Sequence, residues 1–369
     1  MHNFSGSYLS DDVNFLVKLI NVKETSLADK EKAIQTGKAH YSEMISKEYL
    51  PTSEYLDLFE HLTEINGKQM AEAIYVIASH INDTQPDEIT LVSLLRAGTP
   101  VGVLLKRTLE KHFNRDVKHY SVSIVRDRGI DTNALDYILN EDKRKGSGFV
   151  FVDGWTAKGV ITRELKHYVA KYNKDRGTCV SDKLVVLSDI GGTADVTASY
   201  DDYAIPSGIL NSTVSGLVSR SIWNEQIGDK DFHGVIYYKE FEDQDRTLLF
   251  VDKIMGLMPD IEVALSTNSV SEYSCSNPET AKEQHKSLME YVHALMETYG
   301  ETDINMVKPG IAEATRVMLR RIPKALHIKD TSKGDIAHLI RLAKDKDIPV
   351  IIDEEMPLNA AAVISNVRD

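Results

Sequence analysis

Three apolar runs of strand length, each closed by a polar loop carrying glycine, constrain this fold more than any other feature of the sequence. They are ITLVSLL from Ile89, GFVFV from Gly148 and LVVLSDIGG from Leu184. A run with no polar alternation must be covered on both faces, which is how strands inside a parallel sheet read. The first run breaks at Arg96-Ala97-Gly98-Thr99-Pro100 before the helical pattern VGVLLKRTLEKHF, and the second at Asp153-Gly154-Trp155-Thr156 before AKGVITRELKHYVAKY. Strands alternating with helices predict an α/β fold with a parallel sheet and helices on both faces. Ligands of such sheets sit at the carboxyl ends of the strands. The candidate residues are therefore Arg96 to Thr99 after the first strand, Asp153 to Gly159 after the second, and Ser188 to Thr193 at the third.

The remaining sequence is organised around this unit. Tyr55, Leu58, Phe59 and Leu62 recur at helical spacing and predict a mainly helical region over 13–80. HYSVSIV at 119–125 and FHGVIYYKEF at 232–241 read as further strands. The Ser/Thr/Gly-rich stretch at 207–220, ending in Arg220, is either a surface loop or part of the site. Polar, proline-bearing residues 266–283 read as a linker, dividing the 369-residue chain into units at 1–265 and 284–369. The second unit shows a helix at KSLMEYVHALMETYG, another at 335–346, a strand at IPVIID and a short helix at the end.

The formal charge is −13, which repels nucleic acid on average. Its distribution is uneven: between Met306 and Lys344 nine lysines and arginines stand against three acids. A stripe containing Lys308, Arg316, Arg320, Arg321 and Lys324 can neutralise the phosphates of RNA, or it is a solvated helix face or an interdomain contact. Two cysteines, Cys179 and Cys275, make no disulfide framework and suit a reducing compartment, so a cytoplasmic protein is expected. The N-terminus lacks the basic and small-residue marks of a secretory signal, and no apolar run reaches the length of a membrane span. His233 with Glu240, Glu242, Asp243 and Asp245 lacks metal-ligand spacing and reads as a structural histidine beside a solvated acidic turn.

In GFVFVDGWTAKGVITREL a buried strand leads through an acid and a small-residue loop into a helix, so that backbone N–H groups converge on a phosphate at the helix N-terminus. This stretch resembles the phosphoribosyl-pyrophosphate (PRPP) motif of type I phosphoribosyltransferases. The resemblance implies that Asp153 holds ribose hydroxyls and Mg2+, that Thr156, Ala157, Lys158 and Gly159 cradle the 5′-phosphate, and that Trp155 belongs to the substrate-binding set. Gly154 stands where the motif has its second acid. LVSLLRAGTPVGVLLKR resembles the same family's pyrophosphate loop, with Arg96, Ala97, Gly98 and Thr99 in it. Arg126 and Arg128 match a mobile catalytic loop that would place cations over the leaving pyrophosphate. Ser188, Asp189 and the 207–220 segment with its closing Arg220 are candidates for the nucleophile pocket.

LLRAGTPVG, HYSVSIVRDRGID, FVDGWTAKGVI, IPSGILNSTVSGLVSR and VKPGIAEATRVMLRR carry a closer resemblance, to the phosphoribosyltransferase-like proteins of bacterial tellurite-resistance stress operons, some of which bear the label cysteine protease StiP. From about Lys308 the chain resembles a Pelota-type RNA-binding domain, a small α/β/α unit. The resemblance implies a magnesium-requiring enzyme that transfers or removes ribose 5-phosphate from PRPP or a nucleotide-like molecule, with RNA as a further partner and a homodimer as a family expectation. Two other functions compete: a non-catalytic regulator binding nucleotide and RNA, and a cysteine hydrolase. Against the last, neither Cys179 in GTCVSDK nor Cys275 lies at a helix N-terminus or beside a basic residue that would lower a thiol pKa.

Overall fold

In the computed structural model of the chain, residues 3–26, 29–30, 33, 36–267 and 277–364 are described. The first unit contains strands β1 (Asn14–Leu16) and β2 (Lys18–Leu19), helix α1 (Ser53–Thr84), β3 (Ile89–Leu94), α2 (Gly98–Phe113), β4 (Val117–Val122), β5 (Ile124–Val125), β6 (Gly129–Ile130) and α3 (Thr132–Asn140). Then come β7 (Phe149–Thr156), α4 (Val160–Arg176), β8 (Leu184–Asp189), β9 (Val196–Ser199), β10 (Gly234–Val235) and α5 (Thr247–Thr267). Six of the strands form one sheet in the order β1-β4-β3-β7-β8-β9, and every pairing in it is parallel.

Burial explains the pattern. β3 and β8 are buried at every position, as their unbroken apolar runs require. One face of the sheet packs on α1 and α2 through Phe59, Leu62, Ile74, Ile77, Val101 and Leu105. The other face meets α3 and α4 through Leu135, Ile138, Leu165 and Val169. β4 lies on one side of β3 and β7 on the other, so the winding reverses between β3 and β7. A crevice opens at such a reversal outside the carboxyl ends of the strands. Gly98 makes the join tight: a Cβ there would lie 2.2 Å from the carbonyl oxygen of Val152 on β7.

The second unit runs α6 (Pro278–Tyr299), β11 (Val307–Pro309), α7 (Ile311–Arg320), β12 (Pro323–Ile328), α8 (Ala337–Asp345), β13 (Val350–Ile352) and β14 (Ala360–Ile364). Its four strands are ordered β11-β14-β12-β13. The apolar core is continuous across both units, with Val317, Leu326 and Leu339 in the same buried cluster as Phe59 and Val101. A second shared cluster sets Ala157 and Ile190 against Leu288, Val292 and Val307.

Several sequence expectations change. The helical reading of 13–80 holds mainly from Ser53, with Asp29, Lys30 and Ala33 also helical; earlier, Phe15 and Leu16 are buried in an edge strand too short for its period to show. The strand over 232–241 shrinks to Gly234–Val235, and Lys239–Gln244 is a 3-10 turn. The terminal short helix is instead β14, which pairs antiparallel with both β11 and β12. The linker expected at 266–283 is narrower, because α5 reaches Thr267 and α6 opens at Pro278, where the Asn277 side chain caps it. Residues 268–276, including Cys275, lie outside the described residues.

Candidate functional site

β7 carries Asp153 and Trp155 to the carboxyl edge of the sheet, and the loop that follows closes at Gly159, whose φ of +71° allows the chain to turn into α4. A cleft of about 420 Å3 opens here, between this loop and α7 of the second unit. Asp153, Trp155, Thr156, Ala157, Lys158 and Gly159 line one wall, and Lys308, Glu313, Arg316, Arg320 and Arg321 the other. Arg126, Arg220, Tyr41 and Lys30 complete it, giving eight basic side chains against two acids.

Charge within the cleft is unevenly spent. Glu313, Arg316 and Arg320 share one face of α7 because residues three and seven positions on return to the same side. The Arg316 guanidinium stacks 4.9 Å from the centre of the Trp155 ring and lies 3.5 Å from Glu313. Trp155 donates its indole N–H to Glu313 at 3.4 Å. Burial raises the Glu313 carboxyl, but Lys308, Arg316 and Lys158 outweigh it and hold the group below its ordinary value. Arg126 donates to Asn305 at 2.9 Å. Among the described residues, Arg320 and Lys308 have neither an ion pair nor a side-chain hydrogen bond. Burial holds both below their ordinary pKa, and for Arg320 the neighbouring Arg316, Arg96 and Arg220 add to it.

Asp153 accepts the backbone N–H of Gly154 at 2.8 Å. Burial raises its carboxyl to about 6, against the pull of Arg316. Lys158 is lowered to about 7, first by burial and then by Lys308. As pH falls, Lys158 gains its charge through about 7 and Asp153 loses its charge through about 6, so both changes make the cleft more positive. Sulfate, whose own charge is constant in this window, is expected to bind about five- to ten-fold tighter at pH 5.5 than at pH 7.5. Calorimetric titration checks this, and an affinity that falls with acidification would contradict the assignment of these two groups.

The structure redistributes the residues singled out from the sequence. Arg96 does not reach the Asp153 cleft: it pairs with Glu48 at 2.9 Å and donates to Asn211 at 2.7 Å. Gly98 is packed on β7, and Thr99 is buried in a hydrogen bond to Ser121 at 2.8 Å. Ala97 faces a narrow gap beside Trp155. Arg128 turns away from the cleft to pair with Glu43 and donate to the Trp223 carbonyl at 3.1 Å, so of the two loop arginines only Arg126 enters. Lys158, expected to put charge directly on a phosphate, donates instead to the carbonyls of Ile304 at 2.7 Å and Val307 at 2.5 Å. Ser188 donates to the Asp201 carbonyl, and Asp189 accepts the N–H groups of Gly191 and Ala194, so both shape loops. Arg220 does line the cleft, held by the Tyr41 and Met44 carbonyls.

The basic stripe of the second unit divides between the cleft and solvent, with Lys324, Lys333, Arg341 and Lys344 exposed. Lys308, Arg316, Arg320 and Arg321 point into the cleft, and Lys324 pairs with Glu301 at 2.7 Å. The docking that achieves this rests on a residue the sequence did not mark. Half-buried Asp202 accepts the N–H groups of Ile311 and Asn359, each at 2.8 Å, and of Ala360 at 3.3 Å. Burial raises its carboxyl to about 6 against those three hydrogen bonds.

The donor set does not make a magnesium site by itself. Asp153 gives one carboxylate, Gly154 none, and Glu313 is committed to Trp155 and the cations around it. Among the described residues no three His, Cys, Asp or Glu side chains come together to hold a metal. His233 is buried and hydrogen-bonded to Ser123 at 2.7 Å. Cys179 is exposed on the loop before β8, at the opposite end of the sheet from the cleft. Among the described residues no helix is long and apolar enough to cross a membrane.

Comparison with known proteins agrees with the two-unit architecture. The family described as tellurite-like stress resistance cysteine protease StiP matches residues 6–255, and the PELOTA RNA binding domain matches residues 286–366. A protein of Acinetobacter baylyi named cysteine protease StiP is 38% identical over 377 residues, covering 99% of this chain and 95% of that protein. Among solved structures, a hypoxanthine phosphoribosyltransferase of Trypanosoma cruzi matches at 16% identity and a TM-score of 0.28, over 36% of this chain and 77% of that one. A second structure of that enzyme, in complex with the product IMP, matches at 17% identity and a TM-score of 0.25, over 33% of this chain and 67% of that one. Likeness at those scores carries no weight for function. The extent and identity of the sequence matches do: the chain belongs to the tellurite-like stress resistance cysteine protease StiP family and carries a C-terminal PELOTA RNA binding domain.

Proposed function

We propose that this chain binds a phosphorylated ribose of the PRPP or nucleotide type in the interdomain cleft and acts as a phosphoribosyltransferase-like enzyme that transfers or removes ribose 5-phosphate. The observation that carries the reading is the convergence of Asp153, at a strand end, with cations from both units, two of them unpaired. Asp153 suits ribose hydroxyls, while Arg126, Lys308, Arg316 and Arg320 suit phosphate oxygens and the charge that develops on a departing pyrophosphate. Here arginine and lysine supply the positive charge, and no step is assigned to a metal.

Calorimetry with PRPP tests the binding, and release of pyrophosphate or of ribose 5-phosphate tests the turnover. Asp153→Asn is expected to lower turnover at least 100-fold, since it removes the charge facing the sugar. Failure of the wild-type chain to bind PRPP overturns the proposal, while binding without turnover favours the non-catalytic regulator. The cysteine hydrolase reading draws no support from Cys179, which lies far from the cleft along the sheet. A Cys179→Ser/Cys275→Ser double variant is expected to keep PRPP binding within two-fold of wild type, as checked by the same titration.

A further inference from the structure

Arg320 lines more than the cleft. It also lines a second chamber of about 270 Å3. A smaller cavity of about 30 Å3 shares Trp155 and Arg316 with the cleft and Leu210 and Asn211 with the chamber. Arg320 is common to all three spaces.

The chamber differs in chemistry from the cleft. Ile45, Leu210, Leu319 and Leu342 give it apolar walls contributed by both units. Arg96 and Glu48 also line it, but they neutralise each other at 2.9 Å. Among the lining side chains, the Arg320 guanidinium has neither an ion pair nor a hydrogen bond, and the buried Ser46 hydroxyl has no hydrogen-bond partner. A native interior seldom leaves a buried donor unmatched, and an unpaired guanidinium beside three other arginines calls for an anion. Apolar walls with unmatched donors among them fit a molecule that is apolar in its body and carries an anionic group.

We propose that this chamber binds a small organic anion with an apolar body, such as an aromatic carboxylate, its carboxylate held by Arg320 and Ser46 beside the sugar phosphate in the cleft. This rests on the phosphoribosyl reading and assigns the neighbouring reactant its place: Arg320, supplied by the second unit, touches both. The chamber's size and walls set the reactant's class.

The probe is 4-bromobenzoate, with inorganic pyrophosphate as the separate probe of the cleft, both titrated into the full chain. A crystal soaked in 4-bromobenzoate is expected to show an anomalous bromine peak among Leu210, Leu319 and Leu342. Arg320→Ala is expected to weaken its binding at least ten-fold. Ser46→Ala is expected to weaken it about three-fold while leaving pyrophosphate affinity unchanged, a readout that general misfolding would not give. Absence of the bromine peak from the chamber, or equal affinity in wild type and Arg320→Ala, overturns the proposal. Pyrophosphate binding without 4-bromobenzoate binding overturns the chamber alone. The reverse pattern supports the chamber and overturns the phosphoribosyl reading.

Discussion

Removing Arg126 and Arg316 together is expected to weaken PRPP binding by about three orders of magnitude. Each arginine comes from a different unit and lines the cleft that contains Asp153. A hydrogen bond to a charged group contributes about 1.5–3 kcal/mol, so two losses give about 3–6 kcal/mol, and each 1.4 kcal/mol is ten-fold in affinity. The single variants Arg126→Ala and Arg316→Ala are expected to lose about ten- to 100-fold each. Arg128→Ala, two residues along but tied to Glu43 and Trp223, is expected to change affinity by less than two-fold. Titration calorimetry on the four variants checks the pattern. An Arg128→Ala loss as large as that of Arg126→Ala would mean that the loop is arranged differently around the ligand.

The second large effect belongs to Asp202→Ala. This carboxylate satisfies three backbone N–H groups, two of them at the start of α7 and the approach to β14. Leaving donors unmatched costs about 1–3 kcal/mol each, so losing all three acceptor contacts is expected to destabilise the docked second unit by about 3–9 kcal/mol. Amide hydrogen exchange at Ile311 and Ala360 is the direct measurement, and exchange as slow as in wild type would refute the role. The charge works in the opposite direction with pH. Burial raises the Asp202 carboxyl to about 6, so its ionisation costs stability in the folded chain. That contribution is fully present below about pH 4, and it is lost as pH rises through 6.

Much of the sheet was legible because burial on both faces leaves no polar alternation. β3, β7 and β8 each announced themselves as apolar runs, and the glycine loops marked their carboxyl ends. Asp153 and the loop to Gly159 were therefore placed correctly at the edge where the cleft lies. Arg96 was not: a basic residue in a tight loop looks the same whether it faces a ligand or a buried acid, and Glu48, its partner, is 48 residues away. Likewise nothing local distinguishes Arg126 from Arg128. β14 escaped because AAAVI is rich in alanine, which strands disfavour. The basic face of α7 was visible as charge but not as a wall of the cleft, since spacing along a helix reveals which residues share a face and not what covers that face. Asp202 gave no signal, as a lone acid after a strand has many uses.

Lys158 has a practical consequence for following the motions of this chain. Its amine is buried against the carbonyls of Ile304 and Val307 only while the second unit is seated. An amine-acylating reagent therefore finds it shielded in the seated arrangement and open once the unit lifts away. Quantitative mass spectrometry of the acylated peptide makes this side chain a native footprint of whether the second unit stays seated, without a dye, a tag or a substitution.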